Sequence, residues 1–112
     1  MPALLLLLKN ARTMNVWAID KDQRLKVLLI ELVHRYGENA ILLNNAEQHF
    51  QVVEIFTPEQ PKLRAYIYTF GQGTGRYGID LKYPIATHNI IGENEEQSLE
   101  QILSILESHL FS

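Results

Sequence analysis

The chain contains no cysteine, which excludes disulfides, thiolate metal sites and cysteine nucleophiles together. It is also short of positive charge. Ten Lys and Arg stand against thirteen Asp and Glu, a net charge of -3 with neutral histidines, so the basic footprint of a nucleic-acid binder is missing. Its longest apolar run, residues 3–8, falls far below the roughly 20 residues that span a bilayer. A secretory signal would set basic residues before such a run and a small-residue cleavage site after it. Here Lys9 and Arg12 follow the leucines instead. With no span expected, a cysteine-free chain suits the cytoplasm.

What the chain does have is a core. A content of 46% hydrophobic and 21% charged residues over 112 positions suits one folded domain. The organised pattern begins just past Met14, a second possible start. Residues 1–13 are therefore expected to be an appended or mis-started apolar segment, and 14–112 a single α+β domain. The rival reading makes residues 1–13 an edge strand or short helix that buries its leucines on the domain.

Asp20 with Gln23 forms a capping pair, and Leu25, Leu28, Leu29, Leu32, Val33 and Tyr36 follow at helical spacing. Gly37 ends this helix. A second helix is expected from Asn94 as cap, with Glu95 and Glu96 at the positive end of its dipole. Its apolar stripe is Leu99, Ile102, Leu103, Leu106 and Leu110. Four strands lie between, at 40–43, 48–57, 62–70 and 76–83, punctuated by Asn, Pro and Gly. The expected fold is α+β: a four-stranded antiparallel meander with N- and C-terminal helices packed on one face. The predicted core is Leu25, Leu29, Leu32, Ile67, Ile79, Leu81, Ile102, Leu103 and Leu106.

Gly73, Gly75 and Gly78 spell G-x-G-x-x-G, the spacing of a dinucleotide fingerprint. A fingerprint needs a helix opening after the glycines to hold a pyrophosphate. Both flanks here alternate with period two, so residues 71–75 read as a hairpin tip that places Phe70 opposite Arg76. That register sends Leu63, Ala65, Ile67, Ile79 and Leu81 to the core, and Val53 and Ile55 join them. The outer face receives Arg64, Tyr66, Tyr68, Phe70, Arg76 and Lys82, beside Phe50, Val52 and Phe56. An aromatic and basic mixture of this kind is typical of interface anchors. These six residues are the candidate binding surface. Tyr68 is also positioned to cover Gly78 across the strands.

No catalytic constellation is recognisable. His34, His49, His88 and His109 share no i, i+3 or i, i+4 spacing, so neither a metal site nor any cofactor is expected. The acidic run Glu93, Glu95, Glu96 and Glu100 reads as a solvated helix start. The element order resembles the double-stranded RNA-binding domain, but that family needs lysines where Glu95 and Glu96 stand. In size, charge and α+β content the chain is similar to small acidic secretion chaperones and bacterial immunity proteins, with no shared motif. The expectation is a non-enzymatic interaction, regulatory or chaperone-like module, homodimeric or bound to a protein partner. The alternative is a small ligand- or nucleotide-binding domain using the 71–78 loop.

Overall fold

The computed structural model describes residues 18–85 and 90–111, with backbone alone for 90–93. The segment 1–13, expected to be appended, lies outside the described residues, as does His88.

Helix α1 (Gln23–Tyr36) starts where Asp22 caps it, its carboxylate accepting from the Arg24 N–H at 3.0 Å. The cap is thus Asp22 and not Asp20. Leu25, Leu28, Leu29 and Leu32 form a buried stripe, and the Gly37 N–H closes the last turn on the Val33 carbonyl. The strands are β1 (Leu42–Leu43), β2 (Val52–Thr57), β3 (Gln60–Tyr68), β4 (Tyr77–Lys82) and β5 (Ile90–Gln97). They pair in sequence order, each antiparallel to the next. Helix α2 (Leu99–Leu110) completes the chain.

The sheet has five strands where the sequence suggested four. Residues 94–97, read from sequence as a helix start, belong to β5. The capping box sits four residues later: the Ser98 hydroxyl accepts from the Gln101 N–H, and the Gln101 side chain accepts from the Ser98 N–H. Asn and Glu have low intrinsic strand preference, so pairing with β4 makes this strand, not local propensity. Strand β1 begins two residues later than expected, at Leu42, and β2 begins only at Val52 because residues 44–51 form a loop of their own. Within it Asn44 Oδ1 accepts from the Ala46 N–H and His49 Nδ1 from the Gln51 N–H. Lys21 Nζ fastens the loop to the entry of α1 by donating to the Glu47 and His49 carbonyls at 3.0 and 2.8 Å.

The register between β3 and β4 is the one the five-residue tip demands: Ala65 pairs with Leu81, Ile67 with Ile79 and Tyr68 with Gly78. Gly71 and Gly75 take left-handed φ values of 70° and 69°, which a side chain would oppose. All nine residues of the predicted core are buried, together with Val53 and Ile55. They form one cluster with the buried faces of both helices, so α1 and α2 cover the same side of the sheet. Tyr36 stacks on Phe111 with ring centroids 3.9 Å apart, tying the end of α1 to the end of α2.

Candidate functional site

The other side of the sheet carries neither helix. By strand alternation its outward positions are Val52, Glu54 and Phe56 on β2, Arg64, Tyr66 and Tyr68 on β3, and Gly78, Asp80 and Lys82 on β4. Arg64 and Lys82 stand directly opposite each other, a like-charged pair that would repel if left alone. Glu54 lies between them. Its Oε1 accepts from Arg64 at 2.8 Å and its Oε2 from Lys82 at 2.9 Å, while the Asn44 amide adds a bond of 3.3 Å. Burial pushes the Glu54 carboxyl up, but the hydrogen bonds from Lys82 and Arg64 outweigh it and hold the group below its ordinary range.

Along β3 the aromatics form a row. The rings of Tyr66 and Tyr68 are tilted at 6.0 Å, Tyr68 and Phe70 stack at 4.7 Å, and His49 leans on Phe70 at 5.5 Å. Cations cover the opposite end of the row. Lys82 Nζ lies 4.9 Å from the Tyr66 ring centre, and the Arg64 guanidinium 4.2 Å from that of Phe56. The six residues singled out by sequence therefore fall into three situations. Arg64, Tyr66 and Lys82 form the half-buried, charge-paired end. Tyr68 lies beneath its neighbours at 5% exposure, whereas Phe70 is 41% exposed, and Phe50, in the loop before β2, is 52% exposed. Arg76 is exposed at the hairpin tip.

Tyr68 is buried because Gly78 leaves room for it. A Cβ on Gly78 would run into the Tyr68 ring. The phenol donates to Glu95 at 3.2 Å. Burial, followed by the negative charges of Asp80 and Glu95, pushes its pKa up to about 12.

The glycine hairpin is held from two sides. The Arg24 guanidinium donates to the Gly73 carbonyl at 3.0 Å from α1, and Tyr77 Oη donates back to the Arg24 carbonyl at 2.9 Å. From β5 the Glu96 carboxylate accepts from the Gly73 N–H at 2.9 and 3.0 Å, while the Glu96 N–H donates to Gln72 Oε1 at 2.6 Å. Glu96 adopts φ 54°, a left-handed conformation that a non-glycine residue takes at a cost. The clasp on Gln72 and Gly73 offsets that cost. The Gly73 N–H, where an external phosphate would bind, thus already serves the chain's own carboxylate. Glu95 and Glu96 accordingly hold the hairpin and are not a solvated helix start.

Sequence reasoning missed Glu54 as a hub, His49 as the end of the aromatic row, and the clasp by Glu95 and Glu96. The signal for Glu54 was available, because two cations opposite each other on a sheet require a counter-charge. The clasp follows from the position of β5 and could not be seen without it. Among the described residues no three His, Asp or Glu side chains converge as metal ligands would. No helix among them is long and apolar enough to cross a membrane. No protein-family model, curated protein or solved structure matches this chain.

Proposed function

We propose that this chain is a non-enzymatic interaction module, regulatory or chaperone-like, whose outer sheet face docks a second copy of itself. The observation that carries the reading is the exposed ring of Phe70 at one end of an aromatic row, with Phe50 exposed as well in the loop that leads into β2. Exposed aromatics on a semi-apolar face are where interface energy concentrates.

Charge favours a second copy as the occupant. The charges on this face are Lys62, Arg64 and Lys82 against Glu54, Asp80 and Glu95, which reaches it through the Tyr68 hydroxyl, three of each sign, so the face presents no net charge to its own image. Two such faces can meet about a two-fold axis without like-charge repulsion, whereas an uncompensated basic face could not. The same neutrality counts against a phosphate backbone as partner. Tyr68 supports Phe70 from below and makes no first contact. A cytoplasmic setting suits the cysteine-free chain.

A concentration series by NMR tests this reading. Resonances of Phe50, Phe70 and Tyr66 should shift or broaden together as concentration rises, while helix residues such as Ser104 and Glu107 stay constant. Spectra that do not change with concentration would sink it.

A further inference from the structure

On the helix-covered side a second feature remains that the outer face does not use. Helix α2 leaves an open, solvent-facing cavity of about 410 Å³ between its last two turns and strands β3, β4 and β5. Its walls are Leu63, Leu81, Ile105 and the ring of Tyr83, and its rim is Asn94, Ser108 and His109. An apolar hollow of this size with a few convergent polar groups is the usual form of a small-molecule site.

We propose that this cavity binds a small, flat, uncharged molecule carrying one hydrogen-bond donor, of the indole or phenol class. Three observations define that chemistry. Among the described residues no Asp, Glu, Lys or Arg side chain lines the cavity, so a charged ligand would lose its hydration without a counter-ion from them. Two aromatic rings border the cavity, one on its wall and one on its rim: Tyr83 meets His109 edge-on at 4.9 Å, an arrangement that accepts a third ring by offset or edge contact. The third observation concerns the donor. His109 Nε2 lies 2.8 Å from the Arg64 carbonyl, which can only accept, so Nε2 carries a proton, and in that tautomer Nδ1 is the acceptor. Asn94 on the same rim has a side-chain amide that can accept as well as donate. A single N–H or O–H on the ligand therefore has two places to go.

This site is independent of the outer face, and so is its test. Indole is titrated into the full chain and the methyl resonances of Leu63, Leu81 and Ile105 are followed, with Phe50 and Phe70 as controls. The proposal expects saturable shifts confined to the three methyl-bearing residues, with a Kd at or below about 1 mM. Indole-3-acetate and protonated tryptamine, which share the ring but carry charge, should bind at least about tenfold more weakly. Ile105→Trp fills the cavity with a tethered indole and should abolish the shifts at an unchanged melting temperature. Should that variant fail to fold, Leu63→Trp serves, since an aromatic residue suits a strand. Shifts that stay linear to the solubility limit, centre on Phe50 and Phe70, or persist at full affinity in a folded filled variant would each overturn the proposal.

Discussion

Replacing Glu54 removes the carboxylate that bridges Arg64 and Lys82 where they face each other. Glu54 is 8% exposed and bonded at 2.8 and 2.9 Å to the two cations, so Glu54→Ala breaks two charge-assisted hydrogen bonds and leaves two like charges on adjacent strands. Breaking a fully buried ion pair costs about 3–5 kcal/mol. The Arg64 and Lys82 side chains are 29% and 39% exposed, and water recovers part of their solvation. The expected loss is therefore about 2–3 kcal/mol, read from urea unfolding at constant m-value. Glu54→Gln keeps the shape and one acceptor oxygen and should lose about half as much. The pH dependence has a definite sign. The folded state holds this carboxyl below its ordinary range, so the unfolded chain takes up the proton first as pH falls. The advantage of wild type over Glu54→Gln should be full above the ordinary carboxylate range and disappear as pH drops through the depressed folded value. A Glu54→Ala loss under about 0.5 kcal/mol, or an advantage independent of pH, would refute the reasoning.

Gly78→Ala should destabilise the fold by about 1–3 kcal/mol, because the added methyl displaces a ring packed between Phe70, Tyr66 and strand β4. The double variant with Tyr68→Ala should cost less than the sum of the two single losses in chemical unfolding. Tyr68 should appear in an ultraviolet titration as a phenol ionising at about 12, a step that Tyr68→Phe removes. Its pKa is raised in the fold, so the stability it contributes is complete below the ordinary tyrosine value and lost as pH climbs toward the folded one. Ser98→Ala should cost about 1 kcal/mol through loss of the capping box, while Asn94→Ala should leave the stability of α2 unchanged within about 0.5 kcal/mol in thermal melts.

The order of the elements and the facing of the sheet were legible because both rest on periodicity. Ile67 and Ile79 sit mid-strand in alternating runs, and the hairpin between them admits one register that keeps apolar residues together. Strand β5 was illegible for the opposite reason. Asn94, Glu95 and Glu96 have no strand preference and mimic an acidic helix start, and only β4 alongside them decides the matter. The candidate face was half legible. Alternation alone put Arg64, Tyr66, Tyr68 and Lys82 on one side. Which of them water reaches depends on the stacking of Phe70 over Tyr68 and on the depth of Glu54, properties of packing in three dimensions.

Sedimentation equilibrium over a wide concentration range, with wild type beside Phe50→Ala/Phe70→Ala, tests self-association through the outer face most directly. The account predicts a concentration-dependent dimer for wild type. In the double variant, whose substitutions lie at exposed positions, it predicts a folded monomer or a dimer weakened at least about tenfold. A wild-type chain that remains strictly monomeric at the highest concentration, or a dimer untouched by loss of both rings, would contradict it.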